Sequence, residues 1–222
     1  MSLILNIDTA IETASVCLAK DEEILQLTVN ENRNNQAAWL HKAVADMLQK
    51  NNCKASELNA VAVSIGPGSY TGLRAGLAAA KGFCFALNIP LITVGTLETM
   101  AYAVKDEATD LICPMIDARR MEVFAAVYDN TLQEMAVPHA LIIDESSFTH
   151  LLFTSRVLFC GSGSKKLQLL IKNNNAVFSQ STHDASHLAV LSYNRFRKKE
   201  FSDLAYTEPL YIKEFYSPSR KA

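Results

Sequence analysis

Asp8 and Asp117 each end a short run of aliphatic and β-branched residues, about half a chain apart. A carboxylate at a strand end, followed by a turn, is the kind of group that holds a hydrated Mg²⁺ against a phosphate. The first such turn reads Asp8-Thr9-Ala10-Ile11-Glu12-Thr13. A phosphate grip needs glycine here, since a residue without a Cβ lets backbone N–H groups close on an anion. The turn has none, and Glu12 brings negative charge to where phosphate would lie. The residues therefore favour a strand turn with a retained aspartate. Asp8, Thr9, Glu12 and Asp117, with Gly161 and Gly163 behind a later apolar run, remain the candidate lining of a nucleotide cleft.

Residues 64–76, SIGPGSYTGLRAG, carry four of the chain's eight glycines between a strand-like and a helix-like stretch. Such a turn is a natural phosphate cradle at a helix N-terminus. A Walker loop, however, follows its last glycine with Lys-Ser/Thr, and this run does not. Gly72, Gly76, Ala79 and Ala80 repeat at helical spacing beside Ala75, Ala78 and Gly82. A small-residue face lets another helix come close, whether from this chain or from a partner. His183 and His187 stand four apart, but the glutamate of H-E-x-x-H is missing and Thr182 reads as a helix N-cap. No metal set is predicted. A G-x-S-x-G motif, a Cys/His pair and a spaced acidic pair are all missing, so no catalytic machinery is read.

The composition, 49% hydrophobic and 20% charged, is that of a globular chain. A formal net charge of −2 excludes a global basic field, so contact with RNA would rely on a partner. Short basic pieces, Arg195/Arg197/Lys198/Lys199 and Arg220/Lys221, read as solvated surface. The five cysteines have no C-x-x-C spacing, and neither a leader nor an 18-residue apolar span is read. The expected location is the cytoplasm.

Periodicity predicts three strands over 3–29, a helix over about 36–50 and a strand over 60–65. A helix over about 72–87, a strand over 91–94 and a helix over about 96–104 follow. The pattern restarts with strands at 111–117, 122–128 and 131–136, then 157–160, helices over about 165–171 and 185–196, and a short strand at 210–212. The repetition points to duplication. The expected fold class is α/β: a duplicated ribonuclease-H-like, actin-like architecture of two mixed-sheet subdomains, 1–105 and 106–222, with the last segment free to pack back on the first. A ligand would sit between the halves.

Ile7-Asp8-Thr9-Ala10 with Glu12, the run GPGSYTGLR from Gly66 to Arg74, Ile116-Asp117-Ala118-Arg119 and Glu208-Pro209-Leu210-Tyr211-Ile212 together resemble the TsaB (YeaZ) family. The resemblance implies a non-catalytic subunit of tRNA threonylcarbamoyladenosine biosynthesis. TsaD is implied as heterodimer partner and TsaE as third member, with a homodimer at rest and tRNA reached only through the complex. The modified base would be the adenosine next to the anticodon of tRNAs decoding ANN codons. Docking is expected through the helices at about 36–50 and 72–87, with Leu40, Val44, Leu73, Ala75, Gly76, Ala79 and Ala80 at the interface. The catalytic paralogue TsaD is implied to bind metal through a histidine pair; here Thr96 and Met100 take those positions and Glu98 is retained. The family's histidine after Arg33 is replaced by Asn34. No cofactor is required, with weak adenine nucleotide and Mg²⁺ as a residual expectation. The alternatives are an ATP/Mg²⁺-dependent actin-like phosphotransferase or ATPase and, more distantly, a metallopeptidase.

Overall fold

A computed structural model describes residues 1–30 and 36–213. The first meander is β1 (Leu3–Asp8), β2 (Ser15–Lys20) and β3 (Glu23–Val29), followed by α1 (Gln36–Lys50). Then come β4 (Ala60–Ser64), α2 (Tyr70–Leu87), β5 (Leu91–Val94) and α3 (Thr96–Ala103). The sheet order is β3-β2-β1-β4-β5, antiparallel across the meander and parallel from β1 to β4 and β5. The second half repeats it with β6 (Leu111–Asp117), β7 (Glu122–Asp129) and β8 (Glu134–Ile142), then β9 (Val157–Cys160) and β10 (Ala176–Phe178). Their order, β8-β7-β6-β9-β10, has the same directions throughout. The duplicated architecture read from the sequence is the one observed.

Both central strands are buried on two faces, which is why β1 reads as LILNID rather than as a clean alternation. Leu3, Leu5 and Ile7 share a core with Val61 and Val63 and with α1 and α2 residues such as Leu40, Val44, Leu77 and Ala80. Ile4, Ala60 and Ala62 face the other way, onto Leu188 and Leu191 of α6 (Ala185–Lys198). In the second sheet Cys113, Met115 and Phe159 pack with Phe148, Leu152 and Leu167, near and on α4 (Thr149–Thr154) and α5 (Ser164–Gln168). Ile112, Ile116 and Cys160 instead meet Leu97, Met100 and Val104, on or just beyond α3. The last helix of each half thus lies on the sheet of the other. That exchange fixes the two sheets around a shared cleft.

Several boundaries differ from the sequence reading. The third strand of the second meander is β8 at Glu134–Ile142, because Asp129 takes the backbone of Thr131 and Gln133 into a tight turn. Residues 210–212 are a strap rather than a strand: the Leu210 amide donates to the Ile65 carbonyl at 2.7 Å, with no ladder beyond it. α4 and β10 are too short to show a period. Arg33, Asn34 and Asn35, with Arg220 and Lys221, lie outside the described residues.

Candidate functional site

Strand parity places Asp8. With Ile4 and Asn6 it faces α6, and on β4 the matching even positions end at Ser64. The Ser64 hydroxyl donates to Asp8 Oδ1 at 2.5 Å, and the Ala10 amide donates to the same oxygen at 3.1 Å. His183 comes from the segment before α6 and sets Nε2 3.3 Å from Asp8 Oδ2, with side chains only 4% and 1% exposed. Burial alone would raise the Asp8 pKa; His183, Ser64 and Ala10 outweigh it and hold the carboxyl below its ordinary value. One position along the same face, the Ser192 hydroxyl donates to Asn6 Oδ1 at 2.6 Å.

The glycine run closes over this turn. The Ser69 amide donates to the Ala10 carbonyl at 2.7 Å, and a Cβ on Gly68 would lie 2.2 Å from that same oxygen. The Thr9 hydroxyl donates to the Gly72 carbonyl at 2.7 Å, and a Cβ on Gly76 would lie 2.2 Å from Thr9 Oγ1. Gly66 has φ +115°, a conformation that side-chain-bearing residues rarely take. The run is therefore a socket for the Asp8–Ala10 turn, and its small face is filled by this chain itself.

A cleft of about 220 Å³ lies between the halves. Ile11, Met100, Ile116 and Cys160 form apolar lining, while Glu12, Ser162, Lys165 and Thr182 are among its polar residues; Gly161 and His183 line it too. Of the predicted cleft residues only Glu12 and Gly161 reach this lining. Asp8 is buried behind His183, and Thr9 is turned under α2. Gly163 is packed where a Cβ would meet Val123 Cγ1 at 2.9 Å, so it serves packing. Asp117 sits apart, its carboxylate 2.6 Å from Lys166 Nζ and accepting the Arg119 amide at 2.6 Å. Partial burial pushes its pKa up, but Lys166 and the Arg119 amide together hold it below its ordinary value.

The predicted interface residues lie mostly inside this chain. Leu40, Val44, Leu73, Gly76, Ala79 and Ala80 are buried in this chain, and Ala75 is half-buried. A buried side chain presents nothing to a partner. The outward stripe of α2 is Thr71, Arg74, Ala78, Gly82 and Phe85, the last 80% exposed. A Cβ added to Gly82 meets nothing within 4 Å.

His183 is the residue the sequence reading missed. The N-cap of α6 is Asp184, not Thr182, and the His187 ring accepts the Asp184 amide at 3.2 Å. His183 therefore precedes the helix and is free to reach Asp8. The histidine spacing was the only signal, and it belongs to two separate tasks. Among the described residues no group of three or more His, Cys, Asp or Glu could hold a metal ion. Thr96 and Met100 are 0% and 4% exposed, and Glu98 is engaged by Arg195 at 2.6 and 2.8 Å. All five cysteines are free; burial pushes the Cys17 and Cys160 thiols up to about 12, which removes them as nucleophiles.

Two five-stranded sheets of one topology, with exchanged helices and a cleft between them, define a protein of the duplicated actin-like class. A profile of the family described as "TsaD: tRNA N6-adenosine threonylcarbamoyltransferase" matches residues 30–214. The chain belongs to that family, and the curated relatives it matches are TsaB proteins. It is 34% identical over 137 residues to the tRNA threonylcarbamoyladenosine biosynthesis protein TsaB of Bacillus subtilis, covering 61% of this chain and 59% of that one. With the Escherichia coli protein of the same description it shares 37% over 130 residues, 56% and 54% of the two chains. The matches thus span somewhat more than half the length of these curated relatives. YeaZ from Pseudomonas aeruginosa superposes with a TM-score of 0.83 at 23% identity, over 95% of this chain and 100% of that one, a likeness of fold.

Proposed function

We propose that the chain serves tRNA threonylcarbamoyladenosine biosynthesis in the cytoplasm as a non-catalytic subunit. It binds TsaD, which transfers the threonylcarbamoyl group, and meets TsaE and tRNA only within that complex. The observation that carries the reading is the chemistry of positions 96 and 100. The resemblance puts metal-binding histidines there in TsaD, whereas here stand a buried hydroxyl and a buried thioether, the latter packed against the second sheet. A thioether is a poor ligand for a hard or borderline ion, and a neutral hydroxyl is a much weaker one than an imidazole. Glu98 supports the same reading, since its carboxylate is spent on Arg195.

The outer stripe of α2 is the docking face. Ala78 and Gly82 let a partner helix come close, and Phe85 stands at the end as an apolar anchor. In the absence of TsaD the same stripe serves a homodimer. Reconstitution with TsaD, TsaE, ATP, threonine, bicarbonate and the threonylcarbamoyl-adenylate synthase tests the reading, with modified adenosine in tRNA measured by mass spectrometry. Modification should require this chain. Phe85→Glu should abolish co-elution with TsaD while leaving the circular dichroism unchanged. Full modification without the chain would overturn the function. Unchanged co-elution of Phe85→Glu would overturn only the surface.

A further inference from the structure

Asp8 stands where an actin-like phosphotransferase would keep a hydrated divalent ion, yet its surroundings leave no room for one. Oδ1 is filled by the Ser64 hydroxyl and the Ala10 amide. Oδ2 faces His183 Nε2 at 3.3 Å, an ion-pair distance whose geometry falls short of a well-formed hydrogen bond, and neither atom has another hydrogen-bond partner. A hydrated ion bound by Asp8 would need water between metal and carboxylate on the cleft side. That side is the imidazole, itself part of the cleft lining. Asp117, the matching carboxylate of the second half, does not converge on the spot either, since it is tied to Lys166.

We infer that His183 is the resident partner of Asp8, standing in the place of a divalent cation, so that this cleft takes its ligands free of metal. The pair is a built feature rather than an accident of a polar loop. An ionised carboxylate with so little exposure needs a polar group beside each oxygen, and the imidazole stands 3.3 Å from the second without a metal. Lys165, Ser162 and Thr182, which line the cleft, are then the residues a ligand meets directly. A ligand whose binding depends on bridging Mg²⁺ is excluded, whether or not the chain acts with TsaD.

The test uses the full chain with Mn²⁺ alone. Electron paramagnetic resonance should show no stoichiometric uptake at millimolar Mn²⁺, and the proton signals of the His183 ring should stay sharp. A stoichiometric Mn²⁺ that broadens the His183 ring would overturn the inference without any variant. Denaturation midpoints supply a second arm, with His183→Gln, Asp8→Asn and the double variant. The double variant should lose less than the two single losses together, because each single change strands a buried partner. Strictly additive losses would overturn the pairing.

Discussion

The two halves share one topology, and the same strand end meets opposite surroundings in each. Asp8 ends β1 on the face that packs against α6, the helix lent by the other half. Asp117 ends β6 on the face of Cys113 and Met115, toward the second half's own α5, where Lys166 receives it. A shift of one residue in a strand moves a side chain to the other face of its sheet. Duplication therefore conserved the strand order but not the role of the aspartate. One became a buried pair at the cleft, the other a surface ion pair with a carboxylate 41% exposed. Likewise the loop after β4 is a glycine socket, while the loop after β9 is a shorter turn around Gly161 and Gly163.

The sharpest break in this comparison should come at the sockets. Gly68→Val drives a branched side chain into the Ala10 carbonyl and should cost about 3 kcal/mol or more, read from denaturant unfolding. Gly163→Ala, whose Cβ meets Val123 and Met115 side chains at 2.9 and 3.0 Å, should cost about 1 kcal/mol. Equal costs would mean that the two loops are interchangeable.

The aspartates should differ next. Asp8→Asn leaves His183 facing an amide and should cost about 3 kcal/mol near pH 7, whereas Asp117→Asn should cost less than about 0.5 kcal/mol, since its pair is exposed to solvent. The folded pKa of Asp8 lies below its unfolded value of 3.8. The stabilisation from its carboxylate is therefore present above pH 3.8 and is lost as pH falls through the folded value. The gap between the native chain and Asp8→Asn should narrow in that acid range and hold steady above it.

The smallest effects belong to the strap at 202–213. The Ser202 amide donates to the Leu91 carbonyl, and Tyr211 accepts from Arg74 Nε at 2.8 Å. The Arg74 guanidinium lies 3.9 Å from the Tyr70 ring centre, and Lys213 pairs with Glu122 of the second sheet. Tyr211→Ala should cost about 0.5–1 kcal/mol. Lys213→Ala should cost less still, and its effect should vanish in high salt. A larger loss from Lys213→Ala would show the strap to be the main tie between halves.

Much of this was legible in the residues. The paired meanders, the glycine turn and the missing phosphate glycine needed only local patterns, whereas the meaning of Thr96 and Met100 came from the family resemblance. The direction of the small face was not, because Gly76 and Ala80 read alike whether they meet a partner helix or the underside of Thr9. His183 was read as a helix-start residue, since Thr182 and Asp184 are both fair N-caps and only packing chose between them. By itself the sequence determined most of the strand and helix order and the duplication, because propensity, period and residue type act over a few neighbours. The tertiary structure alone decided which face each aspartate takes, that α3 and α6 exchange sheets, and that His183 meets Asp8 from the far end of the chain. Those depend on register and on contacts between segments remote in sequence, where one residue of shift reverses the outcome.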